Sequence, residues 1–348
     1  MRQGLSPARL RGRNNEGILA LILLALIILM SVLNPVFFST STLFGIVRSS
    51  IVPLIFALGV LLVIISGGID VSFAAIAVFA AYTTVTAFGS GAMGAGLIGA
   101  VLLTLAIGAA LGLVNGVLIA RFRLPTLIVT LGTQGIFKGA LLTYVGSRYI
   151  ADLPQAIAGL STTNLLSVPT ASGRAYLSVM VIPAVALCVA AAWMLHRTMF
   201  GRSIYAIGGD AEAARRAGIR VVRVQILLYV LVGMTAALGG LIYMIMGRSA
   251  SPQDLVATEL DIIAAVVLGG ASIFGGRGSV LGTVLGVLLV QVIGNSLILA
   301  GVPSAWQRTA VGTLLVIGVG VQAISAKRRR KRQPAADAPD HTQEAMTV

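Results

Sequence analysis

The sequence predicts an all-α polytopic membrane protein of about ten transmembrane helices, with the N- and C-termini both cytoplasmic. Three observations carry that expectation. Hydrophobic residues make up 57% of the 348 and charged residues 10%, against roughly 25% charged in an ordinary soluble domain. Runs of the ~20 apolar residues that one helical crossing needs recur from residue 17 to residue 326. The alternating ten-residue strands and aromatic girdles of an outer-membrane barrel do not occur.

Taken in order, the chain opens with a basic tail, 1–16, carrying Arg2, Arg9, Arg11 and Arg13. A basic stretch before an apolar run is also the layout of a signal peptide. No small-residue cleavage site follows the run at 17–33; "NPVFFSTS" does, so it reads as a retained first span. The membrane domain, 17–326, divides into spans at 17–34, 43–65, 71–88, 95–120, 125–145, 176–196, 222–246, 259–275, 279–299 and 304–325. Span 259–275 is short and ends in glycines, which suits a full crossing or a re-entrant, broken helix. The final segment, 327–348, begins "KRRRKR" and continues polar and proline-bearing, the composition of a disordered tail.

The net charge of +14 could suggest a nucleic-acid partner, but its placement argues against one. Basic residues sit in the tails and in short loops between apolar runs, the pattern of positive charge held on the cytoplasmic side of a lipid bilayer. With the N-terminus inside, cytoplasmic segments hold the four N-terminal arginines, Arg121, Arg123, Arg197, Arg202, Arg215, Arg216, Arg220, Arg223, Arg277 and the basic tail. That is most of the 25 lysines and arginines. The lone Cys188 lies in an apolar run, cannot form an intrachain disulfide, and reads as a small packed hydrophobe.

Counting removes several chemistries. The two histidines, His196 and His341, fall at a membrane edge and in the tail, so no histidine metal cluster is expected. Asp70 has no second aspartate within a span core, which disfavours a paired-aspartate protease. No Gly-Lys pair exists, so there is no P-loop and no nucleotide bound through one. No catalytic residue, metal or cofactor is expected. Transport or anchoring remains.

Between spans six and seven lies a polar island, "GRSIYAIGGDAEAARRAGI", at 201–219. Asp210 suits a helix N-cap, and Glu212 the first turn, where the helix dipole favours an anion. Arg215 and Arg216 close the last turn, and Gly218 suits the left-handed position after it. Glu212 and Arg216 are spaced i, i+4, while Ala213, Ala214 and Ala217 form a small smooth patch. A helix of two turns is marginal alone in water, so it needs a surface to lie against: its own membrane domain or a soluble partner.

Polar residues within spans narrow the reading further, because burying them unpaired costs several kcal/mol. Thr130, Gln134 and Lys138 recur every four residues on span five, and Gln291 and Asn295 do so on span nine. Hydroxyls and amides both donate and accept, which suits a neutral polyhydroxylated solute; interhelical hydrogen bonding explains them equally well. Lys138 also suits snorkelling outward. Gly108, Gly112 and Gly116, and separately Gly282 and Gly286, have the spacing of close helix packing.

"FGRSIYAIGGDAEAARRAGI" at 200–219 resembles the cytoplasmic coupling loop of ATP-binding-cassette (ABC) permeases of the ribose and simple-sugar type. "SGGIDVS" at 66–72 and "VVLGGASIFGGRGSVLGTVLG" at 266–286 resemble two further signatures of that family. "VTLGTQGIFKGALL" and "GVPSAW" are most similar to its rhamnose and autoinducer-2 branches. The resemblance covers about residues 45 to 325. It implies a ten-helix permease importing a small polyhydroxylated solute. The implied partners are a separate ABC ATPase subunit, a periplasmic or extracellular solute-binding protein, and a second permease chain.

On that resemblance the loop 197–221 couples to the ATPase through Gly201, Arg202, Gly208, Gly209, Asp210, Glu212, Ala213, Ala214, Ala217 and Gly218. Loop 146–175, with Arg148 and Arg174, faces the binding protein. Gly67, Gly68, Asp70, Gly269, Gly270, Gly275 and Gly276 are candidate gate or hinge positions, although Asp70 also suits a plain N-cap of span three. Phe73 departs from the small residues usual in that motif and is expected to alter packing where span three begins. The competing class, an ion-coupled secondary transporter, needs an acid at mid-membrane; Asp70, Glu259 and Asp261 all map near span ends instead. The resemblance places the protein in the inner membrane of a bacterial cell.

Overall fold

The computed structural model describes residues 16–89, 96–170, 173–299 and 301–303, with six further positions between 306 and 320. The tail before residue 16, most of the expected span 304–325 and the tail 327–348 lie outside the described residues. The helices are α1 (Glu16–Leu33), α2 (Thr40–Ile65), α3 (Phe73–Gly89), α4 (Gly96–Phe122) and α5 (Thr126–Val145). A hairpin of β1 (Asn164–Thr170) and β2 (Gly173–Ser178) precedes α6 (Val181–Arg197), α7 (Met199–Gly209) and α8 (Ala211–Arg216). The chain continues through α9 (Val221–Gly247), α10 (Glu259–Leu268) and α11 (Val280–Leu299).

Six helices (α1, α2, α4, α5, α9 and α11) are long and apolar enough to cross a bilayer. The pair α6 and α7 would be a seventh, bent by 73° at its break; α3 is an apolar helix of 17 residues. Among the described residues this is a polytopic helical membrane protein. Most boundaries fall within a few residues of the sequence expectation. The eighth expected span does not: its helix ends at Leu268 after 10 residues. At 1.5 Å per residue that is about 15 Å, half of the roughly 30 Å hydrocarbon core. The glycines at 269 and 270 stop it, and the chain continues without helix to Val280.

Packing explains the order of the layers. α2 is apolar on every side from Ile51 to Ile65 and is buried along that length except at half-buried Pro53 and Leu54, as an all-round hydrophobic helix must be. α9 packs on α4, α3 and α2. Its approach to α4 is backbone-close: a Cβ on Gly108 or Gly112 would strike the Gly233 or Tyr229 carbonyl oxygen, so this glycine spacing serves packing. α1 is peripheral. Apart from the short turn that follows it, its main neighbour is α11, to which Glu16–Ser279 and Asn34–Leu299 hydrogen bonds attach it at both ends. Leu21, Ile22, Leu24, Ile28 and Leu29 on α1 are exposed, a contiguous apolar face of the kind a membrane covers.

The β-hairpin lies within the 146–175 loop and the start of the expected sixth span, and was not anticipated. Its strands pair Val168 with Ala175 and Pro169 with Arg174. They are too short for their alternation to stand out among apolar runs. α6 consequently starts at Val181 instead of 176.

Candidate functional site: a glycine junction and two cavities

Three separated motifs meet at one end of the bundle. A Cβ on Gly208 would overlap the Ile65 carbonyl oxygen and stand 2.7 Å from the Gly276 nitrogen. One on Gly275 would overlap the Gly208 carbonyl and lie 2.9 Å from the Gly67 Cα. The Gly276 N–H donates to the Ile65 carbonyl at 2.8 Å, and the Tyr205 hydroxyl donates to the Gly278 carbonyl at 2.8 Å. Segments 66–72, 207–210 and 275–278 therefore touch backbone to backbone, a contact that only residues without a Cβ permit. Gly269 and Gly270 are not in this junction. Gly269 packs against Gly282 and Thr283 where α10 leaves α11.

From the junction α7 leads into α8. The Gly201 Cβ position is filled by Met194 and Leu195 backbone, which allows the sharp bend from α6. Asp210 caps α8 as expected: its Oδ1 accepts from the Glu212 and Ala213 amides at 2.9 and 3.0 Å. Those amide hydrogen bonds, from Ala213 first and Glu212 second, hold its carboxyl below the ordinary carboxylate value. Gly218 takes a positive φ of 86° after the last turn, and Glu212 pairs with Arg215 at 3.2 Å and Arg216 at 3.9 Å. One expectation is corrected. Ala214 does not share an outward patch with Ala213 and Ala217; it is buried against Ile207 and Val221. The helix lies on its own chain through Ala214, while Arg202, Gly209, Ala213 and Ala217 face outward.

At the opposite end Ile150 and Ala250 exchange two backbone hydrogen bonds of 2.9 Å. From there the chain descends to α10, which separates two cavities. One, of about 340 Å³, is lined by Ala74, Gln134, Lys138, Asp254 and Glu259 among others. The other, of about 510 Å³, is lined by Arg48, Phe56, Tyr243, Thr258, Asp261 and Gln291 among others. Leu255 borders both. The Gln134 amide donates to Glu259 Oε1 at 2.7 Å, joining α5 to the first turn of α10. Both volumes fall in the range of small-molecule sites, apolar walls with a few placed polar groups.

A family model described as branched-chain amino acid transport system / permease component matches residues 42–319. The chain belongs to that family. The permease is 34% identical over 306 residues, 88% of its own length and 84% of the relative's, to the autoinducer 2 import system permease protein LsrC of Yersinia pseudotuberculosis serotype O:3. It is equally similar to the LsrC protein of Yersinia pestis strain Pestoides F. No solved structure matches. The motif resemblance and the family agree: this is a transport permease.

The permease uses its expected pathway residues unevenly. Gln134 and Lys138 line the smaller cavity and Gln291 the larger. Thr130 is buried and sits between the Val71 amide, at 3.4 Å, and the Ile69 carbonyl, at 3.3 Å, so it tethers the loop ahead of α3. Asn295 donates to the Gln291 carbonyl within its own helix. Asp70 is not the N-cap of α3, which begins at Phe73; its Oδ1 accepts from the Ser72 amide and hydroxyl at 2.7 Å each, fixing the turn ahead of the helix. Phe73 packs against Phe56, ring centroids 5.4 Å apart, so it meets a wall of the larger cavity. Sequence reasoning set Glu259 and Asp261 aside as span-end acids. Because α10 starts inside the bundle, Glu259 is buried and both acids line cavities. The visible signal was an acidic "ELD" opening an apolar run too short to cross.

Proposed function

We propose that this permease is the membrane subunit of an ABC importer that moves a monosaccharide-like, polyhydroxylated solute across a bacterial inner membrane. Its relatives' named role in autoinducer 2 import supports the solute class. The observation that carries the reading is the glycine junction. Force applied to α7–α8 reaches α2 and the 275–278 turn through touching backbones, which is what a coupling segment driven by a separate ATPase requires. In this reading the chain crosses ten times with both termini cytoplasmic, α10 being one crossing completed by non-helical chain. The hairpin end receives the binding protein, and a second permease chain completes the importer.

Within it, the cavity of Gln134, Lys138, Asp254 and Glu259 holds the solute, its donors and acceptors matching hydroxyl groups. The test is uptake of labelled autoinducer 2 and of monosaccharides into proteoliposomes holding the permease, an ABC ATPase and a binding protein. Lys138→Met is expected to cut uptake at least tenfold, the effect of about 1.4 kcal/mol, with the ATPase still bound. ATP-independent uptake driven by a sodium or proton gradient would overturn the importer reading. Unchanged uptake in Lys138→Met would remove the cavity from it.

A further inference from the structure

Four polar side chains meet, almost wholly buried, beside the junction. Asp70 is 1% exposed, Ser72 and Asn115 0%, and Tyr229 2%. The Ser72 amide and hydroxyl both donate to Asp70 Oδ1, and Asn115 Nδ2 donates to the Ser72 oxygen at 2.8 Å. Three buried atoms are left without partners: Asp70 Oδ2, Asn115 Oδ1 and the Tyr229 hydroxyl. Tyr229 reaches the group from α9, its carbonyl and Cβ filling the hollows of Gly112 and Gly116, which bracket Asn115 on α4. Its hydroxyl lies 3.2 Å from where a Gly68 Cβ would stand, within the electrostatic reach of Asp70. Buried groups left unpaired in a native protein call for an explanation.

Counting hydrogens supplies one. With Asp70 ionised, the cluster holds two spare acceptors and one O–H. It also holds a negative charge that makes no ion pair among the described residues. Of the elements packed around it, α9 offers Tyr229, α4 offers Asn115, and α5 offers Thr126 and Thr130; only Tyr229 can titrate. A buried carboxylate without a counter-charge is far costlier than the neutral acid. A proton on Oδ2 supplies the missing donor: the acid O–H can be given to Asn115 Oδ1, whereas the Tyr229 hydroxyl, itself a donor, makes no hydrogen bond to Oδ2.

We propose that Asp70 works as a neutral carboxylic acid, latching segment 66–72 to α4 through Asn115. It takes a proton from water when the segment seats and returns it when the segment opens. Gly67 of the junction lies three residues from Asp70, so opening the junction and releasing the latch are one motion. The latch does not depend on which solute is carried or on the ATPase reading.

Infrared spectroscopy of the full-length protein in detergent at neutral pH tests it directly. The parent should show the carbonyl stretch of a protonated carboxylic acid that Asp70→Asn removes, whereas a difference spectrum losing only carboxylate bands overturns the proposal. Asn115→Leu should move that band, because it takes away the acceptor of the acid O–H; a band unmoved there overturns the assigned partner. Should Asp70→Asn fail to fold, the Asn115→Leu shift decides alone. Linkage adds a second readout. The seated state holds a proton that the unfolded chain gives up, so parent stability is full below the unfolded pKa and falls as pH rises toward the folded one. Asp70→Asn mimics the neutral acid without titrating, and its melting temperature should gain on the parent as pH rises from about 5 to about 7. A constant gap overturns the latch.

Discussion

Gly208 and Gly209 are adjacent and have opposite surroundings. A methyl at 208 meets the Ile65 carbonyl, while one at 209 meets nothing within 4 Å. Backbone cannot rotate away as a side chain can, so Gly208→Ala is expected to cost about 3 kcal/mol, the upper end of the overpacking range. Gly209→Ala should stay within about 0.5 kcal/mol of the parent. Thermal melts of the two purified variants check this, and equal melting points would deny the junction its close contact. Asp210 provides a pH expectation. Its folded pKa is depressed, so its capping contribution is full above the unfolded value of 3.8 and is lost only as pH falls through the lower folded value. Association of the permease with an ATPase should therefore show no step from α8 uncapping between about pH 5 and about pH 8; a step there that Asp210→Asn abolishes would contradict the cap.

The helix α8 presents two faces to different neighbours, and substitutions on them should separate. Ala214 is buried against Ile207 and Val221, so Ala214→Arg forces a charge among apolar side chains at several kcal/mol and should lower the melting point of the permease alone. Ala213 is exposed. Ala213→Arg should leave expression and melting unchanged while the ATPase ceases to copurify; retention of the ATPase would sink the coupling role of α8. α10 makes a comparable case. Its first turn is attached to α5 by the Gln134–Glu259 hydrogen bond. Gln134→Leu leaves a buried carboxylate short of a donor and should cost about 1–3 kcal/mol. Glu259→Gln is the milder change, since its amide still offers an oxygen to Gln134. A thermal series ranking the two in the reverse order would show that the bond contributes little.

The arrangement of the two ends makes a topological claim that labelling can check. The hairpin and the α7–α8 segment occupy opposite ends of a bundle whose basic residues concentrate on the α8 side. In a Cys188→Ala background, Thr163→Cys should react with an impermeant thiol reagent applied to intact cells. Ala213→Cys should react only after the membrane is opened. Both positions are exposed, so a reversed pattern would invert the orientation.

Composition and periodicity were enough for the membrane class, for most helix boundaries and for the cap at Asp210, because those properties follow from local hydrophobicity and backbone hydrogen bonding. Motif spacing was enough to recognise a transport permease. The sequence could not show that Gly67, Gly208 and Gly275 form one contact, since they are separated by more than 60 residues at each step. The same holds for Ala214, which faces inward, and for Glu259, which opens a half-length helix inside the bundle. A helix face is chosen by what packs against it, and an apolar run does not record how deep in the bundle it starts. Those were settled by tertiary packing. Where backbones must touch, glycine is the residue that fits, and where α10 begins determines which acids line a cavity.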